Sequence, residues 1–206
     1  MKARNRVLLA TTLAGMLTAG AGAFADTADK KIALSNNYAG NSWRQAMLES
    51  WARVTGQAVA DGVVAAADAF TTAENQATEQ AAQIQNMILQ GYDAIVVNAA
   101  SPTALNGAVK EACDAGITVV SFDGIVSEPC AWRIQVDFRQ MGADEIDYLA
   151  TRLPEGGNLL EIRGLAGVSV DDEIHAGIEA GVAAHPQFRI VGSVNGDWAQ
   201  DVAQKA

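Results

Sequence analysis

The chain reads as an α/β protein, a doubly wound parallel sheet with one complete lobe and the start of a second. Three observations predict this. Short apolar runs alternate with longer amphipathic stretches, the pattern of right-handed βαβ crossovers. Half of the 206 residues are hydrophobic and only 18% are charged, so the chain can bury a substantial core. Polar residues collect just past the apolar runs, where open parallel sheets bind ligands.

Taken in order, 31–35 is a short, mostly apolar strand. A helix follows over 42–55, with Trp43, Met47, Trp51 and Val54 on one face. The run 62–67 is a second strand. A long helix over 74–90 carries Ala77, Ala81, Ile84 and Ile88 at helical spacing, and Gly91 is placed to stop it. A buried-type strand at 94–98 is followed by a helix over 103–115, closed by Gly116, and a strand at 117–122. A fifth strand spans 133–136. The helix over 141–153 is stopped by Pro154, and a sixth strand covers 158–162. The helix over 170–184 ends before Pro186, a seventh strand spans 188–194, and a further helix starts at Ala199. A sheet covered on both faces is expected. The pattern is still open at Ala206, and two strands after Pro154 make only the beginning of a second lobe.

Composition excludes several classes. Fourteen Lys and Arg against 24 Asp and Glu give a net charge of −10, which offers no cationic footprint for nucleic acid. Two His and two Cys are too few for a His/Cys metal cage, so no metal or other cofactor is expected. Residues 1–25 carry Lys2, Arg4 and Arg6, then an apolar stretch, then Ala23-Phe24-Ala25. Those features describe a secretory signal peptide cut before Asp26; an uncleaved anchor is the alternative, disfavoured by the short, interrupted apolar core. The expected location is periplasmic, and cleavage leaves the chain still more acidic. In an oxidising compartment Cys113 and Cys130 are a disulfide candidate, with two unlinked thiols as the alternative.

The strand ends carry the functional signal. Asn36, Asn37, Tyr38, Asn41, Trp43 and Arg44 follow the first strand, and Asn98 and Ser101 the third. Asp123-Gly124 ends the fourth, and Asp137 and Arg139 follow the fifth. Arg163-Gly164-Leu165-Ala166-Gly167 follows the sixth and Asn195-Gly196-Asp197-Trp198 the seventh. Amides, carboxylates and guanidinium groups pair with vicinal hydroxyls, and a Trp ring covers the C–H face of a sugar. Each residue alone is equally a turn or cap residue; six polar strand ends together point to a shared pocket.

On these residues the chain resembles the periplasmic substrate-binding proteins of ABC-type sugar importers, the ribose/galactose-binding-like group of type I periplasmic binding proteins. The carriers are Ile-Ala-Leu-Ser-Asn-Asn-Tyr-Ala-Gly-Asn-Ser-Trp-Arg at 32–44 and Gln-Gly-Tyr-Asp-Ala-Ile-Val-Val-Asn at 90–98. Gly-Ile-Thr-Val-Val-Ser-Phe-Asp at 116–123 and Gly-Asn-Leu-Leu-Glu-Ile-Arg-Gly-Leu-Ala-Gly at 157–167 complete the set. The resemblance implies two α/β lobes joined by a hinge crossed three times, closing on a ligand between them. The first crossing would fall near Val136–Asp137, giving a first lobe over 26–136 and the beginning of a second over 137–206. It implies ligand contacts from Asn37, Asn41, Trp43, Asn98, Asp123 and Asp137, with Trp198 stacking from the second lobe. Two departures stand out. Gly124 follows Asp123 where ribose-type members have Arg, and Asp171-Asp172-Glu173 stands where they place another Arg. Arg44 is a candidate to supply one charge from elsewhere. The implied partners are a small-molecule ligand, with sugar the first choice, and a membrane ABC permease; a monomer is expected.

Other classes fare worse. Gly167-Val168-Ser169-Val170-Asp171 is not a nucleophile elbow. His175 and His185 both read as solvated helix residues, which leaves no base for a triad. The turn Tyr38-Ala39-Gly40-Asn41-Ser42 has one glycine where a dinucleotide site needs three. A repressor sharing this fold would begin with a helix-turn-helix, and the signal peptide occupies that place. A binding role without catalysis is therefore expected, the alternative being the same clamp on a non-sugar solute for uptake or chemosensing.

Overall fold

The computed structural model describes residues 26–73 and 76–206. The expected signal segment, and the start of the helix expected over 74–90, lie outside the described residues.

Five parallel strands form the main sheet: β1 (Lys31–Asn36), β2 (Ala66–Thr71), β3 (Ala94–Asn98), β4 (Thr118–Phe122) and β5 (Trp132–Ile134). Their spatial order is β2-β1-β3-β4-β5, which is doubly wound, with the switch in winding direction between β1 and β3. Asn36 and Asn98, the last residues of those two strands, are register partners at that switch point. Helices α1 (Ser42–Ala60), α2 (Ala77–Leu89) and α3 (Asn106–Asp114) connect β1 to β4. A second, two-stranded parallel sheet pairs β6 (Gly157–Arg163) with β7 (Phe188–Asn195). Helices α4 (Phe138–Arg152) and α5 (Ser169–Ala184) pack on each other beside it, and the short α6 (Gln200–Ala203) follows β7.

Helix ends explain most boundary differences. The second strand was expected over 62–67 and instead lies at Ala66–Thr71, because α1 runs on past Thr55 to Ala60. Gly62 adopts φ 68°, while its N–H reaches Val59 O and that of Val63 reaches Ala58 O. That pair of bonds is a Schellman motif, so Gly62 to Val64 is a helix terminator and not strand. Gly91 and Gly116, at φ 69° and 82°, end α2 and α3 the same way. α4 starts at Phe138, ahead of the expected 141, because the Asp137 carboxylate accepts from Gln140 N at 2.8 Å and caps it. α3 is shorter than the expected 103–115, and α6 is a single turn.

The core lies between the main sheet and α2/α3. Ile84, Met87, Ile95, Val97, Leu105, Val109 and Val119 are its buried centre. Cys113, at the end of α3, is bonded to Cys130 in the β4–β5 loop across a Cα separation of 6.4 Å, a spacing a disulfide spans. On the opposite face of the sheet α1 lies against β2. Arg44 is the one buried residue of α1, and Trp43, Met47, Trp51 and Val54 line an open groove with Val96 and Phe122. The apolar stripe expected on this helix is real, but it borders a groove instead of a closed core.

The two helices of the second unit meet through glycines. A Cβ on Gly142 of α4 would lie within 3.0 Å of Ile178 N of α5, and one on Gly181 would lie 2.7 Å from Ile146 Cβ. Gly177 sits directly against Arg139 O. Only backbones without side chains pass this closely.

Candidate functional site: a cavity between the two sheet units

The site begins with buried amides that shape the ends of β1 and β3. Asn36 donates through Nδ2 to Tyr38 O at 2.6 Å and accepts from Arg44 Nη1 at 3.1 Å. The Arg44 side chain is thereby drawn inward from the first turn of α1, whose N-cap is Asn41, accepting from Arg44 N at 2.8 Å. Arg44 Nη2 lies 3.3 Å from Asp123 Oδ2, and the same carboxylate oxygen accepts from Asn98 Nδ2 at 3.0 Å. Burial lowers the guanidinium pKa and the Asp123 charge opposes that shift. Arg44 also lies over the Trp43 ring, 5.1 Å from its centroid.

Gly124 explains why the guanidinium comes from α1. A Cβ at this position would lie 2.6 Å from Ala99 O and 3.0 Å from Asn98 Oδ1, so no arginine fits there. Arg44 reaches Asp123 from the other side. Asp123 itself has φ 56°, in the left-handed region, and so do Asp197 and Trp198 at 52° and 55°. Asp tolerates that conformation; Trp does so rarely, and such outliers gather at functional loops.

Between the units lies a cavity of about 300 Å³, at the lower end of the range for small-molecule sites. Asn41, Ser42, Trp43, Arg44 and Asp123 line one side, and Phe138, Val168, Val170, Ile174 and Trp198 the other. Trp43 is 51% exposed and Trp198 43%, so each offers a ring face to the opening. The Trp198 ring lies over Gly164, where any Cβ would overlap it. The Gly164–Gly167 turn is thus a close-approach loop. Asn195 Nδ2 braces it by donating to Gly164 O at 2.8 Å.

Of the eight expected ligand residues, Asn41, Trp43, Arg44, Asp123 and Trp198 line this cavity. Asn98 stands behind Asp123, fully buried, as its hydrogen-bond donor. Asn37 is buried and donates to Ala99 O at 3.0 Å. Asp137 caps α4 and faces a separate, open hollow of about 690 Å³ shared with Gln135, Arg139, Asp172 and Glu173. There burial, and then the neighbouring Asp137 charge, hold the Glu173 carboxyl above its ordinary pKa.

Several positions were not anticipated. Gln80 is fully buried on the core stripe of α2 and donates to Asn98 O at 2.9 Å and Ser35 O at 3.3 Å, while its Oε1 accepts from Ala100 N at 2.8 Å. It ties the ends of β1 and β3 together; its place between Ala77 and Ile84 in the helical repeat was the available signal. Phe138, Val168, Val170 and Ile174 also line the cavity, apolar residues without the polar strand-end signal that marks the others. The two histidines are not merely solvated: His175 Nδ1 lies 2.8 Å from the buried Glu161, and His185, past the end of α5, pairs with Asp147 at 2.7 Å.

Among the described residues no helix is long and apolar enough to cross a membrane, and no group of three or more His, Cys, Asp or Glu is arranged to hold a metal.

The chain is similar to proteins of known role. The chain is 29% identical over 135 residues to the xylitol-binding protein of Mycolicibacterium smegmatis, covering 65% of this chain and 39% of that protein. It is 29% identical over 126 residues to the ribose import binding protein of Escherichia coli, covering 61% and 42%. The crystal structure of an ABC transporter solute binding protein from Thermobispora bispora matches with a TM-score of 0.80 and 36% identity, over 86% of this chain and 55% of that one. The chain therefore spans about two fifths of the length of these curated relatives. These relatives are named as binding proteins, not as enzymes. The periplasmic binding protein domain family matches residues 32–206, and this chain belongs to that family.

Proposed function

We propose that this protein is an extracytoplasmic solute receptor that holds a monosaccharide or related polyol between two lobes and delivers it to an ABC importer. The observation that carries the reading is the cavity between the units, with a charge-balanced Arg44–Asp123 pair facing an exposed Trp198 ring. The polar pair matches hydroxyl groups, and the ring matches the C–H face of a sugar. The family and the ligands named for its relatives agree with it.

In this reading residues 1–25 direct export to the periplasm, residues 26–136 form the first lobe, and the second begins at residue 137. Asn41, Trp43, Arg44, Asp123 and Trp198 touch the ligand. Asn98 and Gln80 hold Asp123 and the strand ends in place, with Asn37 and Asp137 as flanking positions. Ligand bridges the lobes, and the closed arrangement is selected because only it makes both sets of contacts. No bond is made or broken. The receptor acts as a monomer facing its permease.

A thermal-shift screen of the purified protein against pentoses, hexoses, polyols, amino acids and nucleosides tests this. A ligand at 100 times its Kd stabilises by about 2.7 kcal/mol. The expected hits are confined to sugars and polyols, and Trp198→Ala weakens them by about 1 kcal/mol. A hit only among nucleosides or amino acids would retain the clamp and discard the carbohydrate.

A further inference from the structure

The peptide unit between Arg163 and Gly164 joins the start of α5 to the loop that carries Trp198. Its carbonyl, Arg163 O, accepts from Gly196 N at 2.8 Å and so ties down that loop. Its N–H, on Gly164, donates at 2.7 Å to Oδ1 of Asp171 in the first turn of α5. Asp171 is buried, and its other oxygen, Oδ2, accepts from Arg163 Nη2 at 2.6 Å, so both oxygens are engaged within this corner. Asn195 Nδ2 holds the next carbonyl, Gly164 O, at 2.8 Å. The Trp198 ring lies against Gly164 on the side where a Cβ would stand. Asp197 and Trp198 both have positive φ, conformations that persist only where the surroundings over-determine them.

We infer that Asp171, paired with Arg163, is a positioning residue for the Trp198 ring. It fixes the 163–164 peptide, and that peptide sets both the Trp198 loop and the surface on which the ring rests. Hydrogen bonds to an ionised, charge-paired carboxylate are short and strong, so the peptide plane has little freedom. Gly164 belongs to the same device, because the ring takes the space of its side chain. This rests on the reading that Trp198 touches the ligand. Affinity then depends on Asp171, although the cavity is lined by Trp198 and not by Asp171 itself.

The test combines fluorine NMR of protein labelled with 5-fluorotryptophan and isothermal titration. The titrant is the pentose, hexose or polyol that most stabilises the protein in the thermal-shift panel. The chain has four tryptophans, so Trp198→Phe assigns its resonance, and Trp51 and Trp132 of the first unit serve as references. Gly164→Ala and Asp171→Ala are each expected to move the Trp198 resonance and leave those two in place. Asp171→Asn, which keeps an oxygen for Gly164 N, is expected to restore most of its position. Each Ala variant is expected to weaken binding by about 5-fold, the worth of one stacked ring. Because the brace acts through the ring, Asp171→Ala added to Trp198→Ala is expected to cost nothing further. A Trp198 resonance unmoved by both Ala variants would overturn the inference and leave the receptor reading standing. So would a double variant whose loss is the sum of the two singles, or a shift that Asp171→Asn does not reverse. Failure of every sugar and polyol to bind would overturn the receptor reading, and the resonance alone would then decide whether the brace sets the ring.

Discussion

Arg44 shows how a single residue serves both fold and site. It is 9% exposed, yet its counter-charge, Asp123, sits on a different element and its second partner, Asn36, on a third. Removing the guanidinium leaves a partly buried carboxylate unpaired, so Arg44→Met is expected to destabilise by about 2 kcal/mol. The urea midpoint reads this. The double variant Arg44→Met/Asp123→Asn should recover part of the loss, because it removes both charges. Tyr92 carries the pH dependence. Its hydroxyl donates to Asp68 at 2.7 Å, and burial together with that carboxylate pushes its pKa up from 10.0 to about 12. The neutral phenol is the form the fold favours. Its contribution is fully present below pH 10 and is lost as pH rises through 12. Tyr92→Phe should cost about 1 kcal/mol at neutral pH and flatten the fall in stability across that window, as followed by denaturation at stepped pH.

At the level of elements, the helix terminators and the glycine crossing do most to set geometry. Gly62, Gly91 and Gly116 end three helices with one bonding pattern, and each returns the chain to a parallel strand. The crossing of α4 and α5 matters for the site because α4 begins at Phe138 and α5 carries Val170 and Ile174, all on the cavity wall. Gly177→Val is expected to push α5 off Arg139 O and cost about 1–3 kcal/mol of overpacking. Near-ultraviolet circular dichroism from Trp198 would report the displaced wall, and an unchanged spectrum and stability would show that the crossing relaxes freely.

Over the whole molecule, the disulfide and the core belong to the first unit, while the second unit holds together through β6–β7 pairing and the α4–α5 contact. The Cys113–Cys130 bridge closes a loop with a sequence separation of 17, for which loop-closure entropy gives about 3 kcal/mol. Reduction is expected to raise hydrogen exchange in α2, α3 and β4 while leaving α5 protection as it was. Loss of protection in both units together would mean that they unfold as one.

Much of this was legible in the sequence because its causes are local. Strand and helix periodicity, the glycines after helices and the export-linked cysteine pair each depend on residues close along the chain, so element order and fold class could be read directly. The chemistry at strand ends was legible for the same reason: Asn41, Trp43, Arg44, Asp123 and Trp198 sit just past apolar runs. What only the tertiary structure decided is which of these residues meet, and what stands opposite them. Asn37 and Asn98 turn inward to satisfy buried backbone and carboxylate partners, and Asp137 is taken by a helix N-terminus. Gln80 becomes the tie between strands, and an apolar wall from α4 and α5 faces the polar pair. Those outcomes depend on contacts between different elements, 62 residues apart for Asn37 and Ala99, where burial and partner geometry, not local propensity, set the direction of each side chain.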